Sequence, residues 1–210
     1  MGKIFQAKKI VYKKSHTPTS GFKSTNVHLE PGHLKGLLEQ TYKKGKSDYG
    51  DYKIDKDLST ARSKVYYNST SGKTVVAHRG TVNAQDWKEN AMYALGMNKK
   101  GKGFKKSEKV QKAAEAKYGT QNLETIGHSK GGIHAERLGQ KGLVQTLNKP
   151  VSIKDIKKVI PLSQNDFKTS RDPVSILREF QKGHKAIVVK SKTFNPLKEH
   201  RVFNLGRLSK

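Results

Sequence analysis

Apolar positions in this chain come in short bursts between basic and glycine-rich stretches, and the spacing inside each burst separates helix from strand. Leu34, Leu37 and Leu38 recur at helical spacing and predict a helix over 33–42. The Gly-, Asp- and Lys-rich stretch after it, through 57, reads as loop. Residues 61–67 alternate, with Val65 and Tyr67 on one face and Tyr66 on the other, and predict a strand. A turn over 69–72 leads to a second strand over 74–77. Trp87, Ala91, Ala94 and Leu95 line one side of a helix predicted over 86–95, with Asp86 at its acidic start. Residues 97–106 read as loop; Ser107 is placed to cap a helix to Tyr118, and Gly119 to end it. A short strand over 123–126, a helix over 131–139, a strand over 156–162, a short helix over 174–180 and a strand over 186–189 complete the pattern. Strands alternating with helices predict an α/β fold, a mostly parallel central sheet with helices on both faces.

Length changes this picture little: 210 residues suit a single domain over 21–210, preceded by a basic arm over 1–20 that closes in Thr-Pro-Thr-Ser, just before Gly21. No apolar run is long enough to cross a bilayer, and residues 1–14 lack the apolar core of a signal peptide. The expectation is a protein that stays in the cytoplasm or is packaged in a virus particle. With no cysteine, disulfides, thiolate metal sites and cysteine nucleophiles are excluded. No cofactor and no metal set is expected. Asn68-Ser69-Thr70 matches a glycosylation sequon and reads as a turn.

Charge adds a partner class. The formal net charge is +26 at pH 7, so the chain is expected to associate with polyanions through a salt-sensitive field. Anionic membrane surfaces and non-specific nucleic acid are both candidates. No zinc-finger spacing, aromatic RNA-binding signature or basic heptad accompanies the lysines.

Candidate chemistry centres on "TIGHSKGGIHAERLG", residues 125–139. Ser129 stands between Gly127 and Gly131, with a β-rich lead-in before it and a helical pattern after it. In that context Gly-x-Ser-x-Gly lifts a serine hydroxyl above the carboxyl edge of a sheet, at a helix amino end. A Cβ at either glycine would crowd the neighbouring strand and helix. Serine is a weak nucleophile at neutral pH and needs a general base oriented by a carboxylate. Downstream histidines are His134, His184 and His200; downstream aspartates are Asp155, Asp166 and Asp172. His134 lies in the helix after the turn, and Asp155 precedes the strand predicted over 156–162. Asp166 and Asp172 both follow that strand. His184 precedes the last strand and His200 follows it, so His200 suits the carboxyl edge better.

Four segments, "VVAHRGTVNAQDW" (75–87), "IGHSKGG" (126–132), "RDPVSIL" (171–177) and "NPLKEHRVFN" (195–204), resemble in order the motifs of the class 3, fungal-lipase-like α/β-hydrolases. That resemblance implies a compact α/β-hydrolase with Ser129 as nucleophile, Asp172 as orienting acid and His200 as general base. It further implies oxyanion donors at Lys130 (backbone) and Thr81 (backbone and hydroxyl), with Arg79, Asp86 and Trp87 holding the oxyanion loop. His128 is expected to pack beside the turn. Lys130 stands where the family commonly has Leu, His78 stands where it commonly has an aromatic, and residues 97–106 carry no apolar lid helix. The implied activity is hydrolysis of acyl esters, lipid or other, by a lipase, phospholipase or carboxylesterase. The alternative is a weakly active or inactive hydrolase-fold protein that binds nucleic acid or another polyanion.

Overall fold

A computed structural model describes residues 27–82, 102–191 and 193–200. Its strands are β1 (Lys53–Ile54), β2 (Ser63–Tyr67), β3 (Thr74–His78), β4 (Leu123–His128), β5 (Leu143–Leu147), β6 (Val159–Ile160), β7 (Gln164–Thr169), β8 (Lys182–Gly183) and β9 (Ile187–Val189). Its helices are α1 (Pro31–Tyr42), α2 (Lys102–Tyr118), α3 (Lys130–Leu138) and the single turn α4 (Pro196–Glu199). Seven of the strands form one sheet in the order β1-β2-β3-β4-β5-β7-β9. β1, β2 and β3 pair antiparallel, and every pairing from β3 to β9 is parallel. The fold is therefore the expected α/β one, and its parallel strands all present carboxyl ends to one edge.

Alternation along the strands divides the core. Tyr66, Val75 and Ala77 face α1 and pack with Leu34, Leu37, Leu38, Ile126, Leu147 and Phe167. Val65 and Val76 face the other way, against Val110 and Ala114 of α2. Each of the fully buried leucines of α1 contributes about 1.5–3 kcal/mol by leaving water. α1 begins at Pro31, two residues before the leucine pattern suggests, because proline's fixed φ and missing N–H suit the first helical turn.

Several expectations give way. β1 falls inside the stretch read as loop through 57. α2 starts at Lys102, so Ser107 is an interior helical residue and not a cap; its hydroxyl instead meets Ser63 Oγ at 3.2 Å and His134 Nδ1 at 2.9 Å. β5 was not anticipated. The strand predicted over 156–162 shrinks to β6, which pairs only with β8, outside the main sheet. The main-sheet strand is β7, whose sequence QNDFKT is mostly polar. It is buried because its polar groups are satisfied in place. Asp166 accepts from Thr146 Oγ1 at 2.5 Å and Gln164 Nε2 at 2.9 Å, and pairs with Lys149 and Arg178. Periodicity alone cannot register such a strand, since it weighs apolar side chains. The arm over 1–20 and the helix predicted over 86–95, with Asp86 and Trp87, lie outside the described residues.

Two buried histidines join the sheet to the helices above it. His78 Nδ1 meets Ser63 Oγ at 2.8 Å, and the line continues through Ser107 to His134. Burial pushes His78 down to about 4; burial, with His78 and nearby cations, pushes His134 down to about 3. Both rings are thus neutral when folded but titrate near 6.5 when unfolded, so between those values the unfolded chain binds more protons. Stability is full above pH 6.5 and is expected to fall as pH drops toward 4, by about 1.4 kcal/mol per pH unit for each ring. Urea unfolding across that window checks this; a midpoint flat from pH 6.5 to 4.5 would contradict it.

Candidate active site

At the end of β4 the chain turns sharply into α3. Ser129 has φ 54° and ψ −128°, a conformation that side-chain-bearing residues avoid, and α3 starts at the next residue. The flanking glycines make room for it. A Cβ on Gly127 would lie 2.1 Å from the Gly131 carbonyl oxygen, and one on Gly131 would lie 2.1 Å from that of His78. The Ser129 amide donates to Leu147 O at 2.9 Å and its carbonyl accepts from Gly132 at 2.8 Å, which ties the turn to β5 and α3. Lys130 opens α3, so its amide belongs to the first helical turn, whose N–H groups point away from the helix body.

The loop after β7 and the loop after β9 meet over this turn. Asp172 lies three residues beyond β7, buried, with Oδ2 accepting from Ser175 Oγ at 2.6 Å and Ser175 N at 3.1 Å. His200 follows α4. Its Nδ1 lies 2.8 Å from Asp172 Oδ1 and its Nε2 lies 2.8 Å from Ser129 Oγ. Burial alone would raise the Asp172 carboxyl, but the His200 ring, Ser175 and the Val174 amide outweigh it and hold the group below the usual carboxylate range. An ionised Asp172 accepts only, so His200 carries its proton on Nδ1 and Ser129 donates to Nε2.

The backbone under His200 is pinned from three sides. Asn148 Nδ2 and Thr169 Oγ1 each donate to Glu199 O at 3.1 Å, and His128 Nε2 lies 2.6 Å from His200 O. Asn148 sits at φ 47°, a left-handed position that asparagine tolerates better than most residues. Across the turn, the segment leaving β3 comes close: a Cβ on Gly80 would lie 2.9 Å from Ser129 Cβ and 2.8 Å from His128 O. Thr81 follows, half-buried.

The other sequence candidates lie elsewhere. Asp166 is inside β7, not after the strand as expected, and is held below its usual pKa by Lys149 and Arg178 against the raising effect of burial. Asp155 bonds to Ser152 at 2.6 Å. His134 points to Ser107. His184 lines a groove with Val159, Leu162 and Ile187, beside the small β6–β8 sheet. Tyr42, Asn148, Thr169 and Ser175 were not singled out in the sequence. Only Ser175 left a local trace, the Asp-Pro-x-Ser order of a turn in which a serine bonds back to an aspartate.

A family model described as "Phospholipase-like: Tle-like phospholipase domain" matches residues 6–137. No curated protein matches the chain. Among solved structures, a fungal lipase in complex with an inhibitor is similar over 81% of this chain and 81% of its own, at 16% identity and a TM-score of 0.51. A triacylglycerol lipase from Penicillium expansum is similar over 76% of this chain and 77% of its own, at 17% identity and a TM-score of 0.46. The first of these shares the fold: the parallel sheet here is that of a fungal-lipase-like α/β-hydrolase.

Proposed function

The chain belongs to the Tle-like phospholipase family and is a lipase-type ester hydrolase, and from that premise we propose that Ser129, His200 and Asp172 carry out acyl transfer through an acyl-enzyme. The observation that carries the reading is the buried line of two 2.8 Å hydrogen bonds ending on a serine at positive φ.

Ser129 Oγ attacks the acyl carbonyl carbon while its proton passes to His200 Nε2. The carbonyl electron pair moves onto oxygen, which the amides of Lys130 and Thr81 receive, helped by the amino end of α3. The C–O bond to the leaving alcohol then breaks, and that alcohol takes the proton from His200. Water next gives a proton to His200 and attacks the acyl-serine, releasing the acid and restoring Ser129. Asp172 keeps its charge throughout. It holds the imidazole in the Nδ1–H tautomer and stabilises the imidazolium formed in each half-reaction.

The substrate proposed is the acyl ester of a phospholipid at an anionic membrane surface, a choice supported by the family description and by the +26 charge. Fatty-acid release from vesicles tests it. Release is expected to be faster from vesicles containing an anionic phospholipid than from zwitterionic ones, with an advantage that shrinks as salt rises. Labelling with a fluorophosphonate, followed by peptide mass spectrometry, is expected to place the adduct on Ser129. An unlabelled protein that releases no acid would favour the alternative, a basic hydrolase-fold protein that binds polyanions.

A further inference from the structure

Tyr42 and His128 belong to no step above, yet they occupy the space between the segment leaving β3 and the loop that carries His200. Tyr42 is the last residue of α1. Its hydroxyl accepts from the Gly80 amide at 3.0 Å and lies 2.6 Å from His128 Nδ1. His128 Nε2 in turn lies 2.6 Å from the carbonyl oxygen of His200. We propose that Tyr42 and His128 are positioning residues, a hydrogen-bonded strut that sets the oxyanion loop and the general base at a fixed separation across the nucleophile. The proposal rests on the serine-hydrolase reading above.

The direction of every bond follows from the partners. A carbonyl only accepts, so His128 donates from Nε2; a neutral ring then accepts at Nδ1, and Tyr42 is the donor there. The groups stay in those states at neutral pH. Burial, and then His200, push His128 down to about 3, and burial pushes Tyr42 up to about 12 against the lowering effects of Gly80 and Arg79. Groups packed around the pair include Arg79, 6.0 Å from the Tyr42 ring, the His200 ring at 5.2 Å, and Asp172 behind it.

The strut has a rigid base. Lys64, buried in β2, donates from Nζ to Gln40 O at 2.6 Å and Gly45 O at 2.8 Å, fixing the end of α1 where Tyr42 stands. At the other end, Gly80 could not carry a side chain, since a Cβ would also come within 2.9 Å of Tyr42 Oη. Because the Gly80 amide is spent on Tyr42, the oxyanion is left to the next amide, Thr81, and the strut decides how far that amide sits from Ser129. A displacement of one ångström in such a donor is enough to cost about 100-fold in rate.

Tyr42→Phe, His128→Gln and the double variant test this, each compared with the wild-type protein on a soluble p-nitrophenyl ester. Tyr42→Phe is expected to lower kcat about 10–100-fold with KM within about twofold, an unshifted pH profile and an unlabelled fraction no larger than wild type after exhaustive fluorophosphonate treatment. His128→Gln can still donate to His200 O, but its amide oxygen sits on the same carbon as that nitrogen and cannot also reach Tyr42 as Nδ1 does across the ring, so the hydrogen-bonded chain is broken and kcat is expected to fall similarly. Because both break one chain, the double variant is expected to be no worse than about threefold below the poorer single one. Wild-type kcat in either single variant, multiplicative losses in the double, or a loss residing in KM would overturn the proposal. If Tyr42→Phe fails to fold, the His128→Gln kcat and KM decide. Failure of the wild type itself to label or turn over would instead sink the hydrolase reading on which the strut depends.

Discussion

Replacing Ser129 by alanine is expected to lower kcat/KM on a soluble ester by about 10⁵–10⁶-fold and to abolish fluorophosphonate labelling, with the fold retained. Without Oγ there is no acyl-enzyme. What remains is unassisted attack by water beside donors positioned for an oxyanion, which is worth only a residual rate over the uncatalysed reaction. The hydroxyl is not needed for the turn: what holds it is the bond of the Ser129 amide to Leu147 O and the contact between Gly127 and Gly131, and both survive the substitution. Thermal unfolding within a few degrees of wild type, together with a lost rate, is the expected pair of results. An alanine variant that matches wild type would assign the hydrolysis to another residue or to the solvent.

The second large effect separates the two histidines between which the sequence favours His200. His200→Ala is expected to lower kcat/KM by about 10⁴–10⁶-fold, because it removes the acceptor 2.8 Å from Ser129 Oγ and the donor 2.8 Å from Asp172. His184→Ala is expected to stay within about twofold. Its ring lines the groove beside β6 and β8, and its backbone keeps the bonds it makes there, the amide to Ile160 O at 3.1 Å and the carbonyl to Arg178 Nη2 at 2.5 Å. A dead His184 variant beside an active His200 variant would reverse the assignment of the base.

How far the site was legible follows from how local its parts are. The elbow is a local object. Gly127, Ser129 and Gly131 sit within five residues, so a short motif carries them, although only Gly127 is required by the chain's immediate continuation, at Gly131, while Gly131 is required by the end of β3, at His78. Asp172 and His200 are each expected to follow a strand, but so is Asp166, and it is the resemblance of 171–177 and 195–204 to family motifs that sets Asp172 ahead of Asp166 and supports His200. The sequence reading put the strand over 156–162. The strand is β7, and Asp166 within it is committed to Thr146, Lys149 and Arg178. Tyr42, Asn148 and Thr169 left no signal, because their partners lie 38, 51 and 30 residues away along the chain.

By itself the sequence determined the class of fold, the tight glycine-flanked turn at Ser129 and the absence of thiol chemistry. They rest on composition, on apolar spacing inside each element and the order of elements, or on a motif of five residues. Only the tertiary structure decided which polar segment becomes an inner strand of the main sheet, since QNDFKT is stable there only when Lys149, Arg178 and Thr146 arrive from elsewhere to satisfy it. Only the tertiary structure brought the loops after β7 and β9 over the elbow and joined α1 to them through Tyr42 and His128. Those contacts reflect parallel strand order, which the chain achieves by long crossovers, and distance along the chain carries no trace of which carboxyl ends will meet.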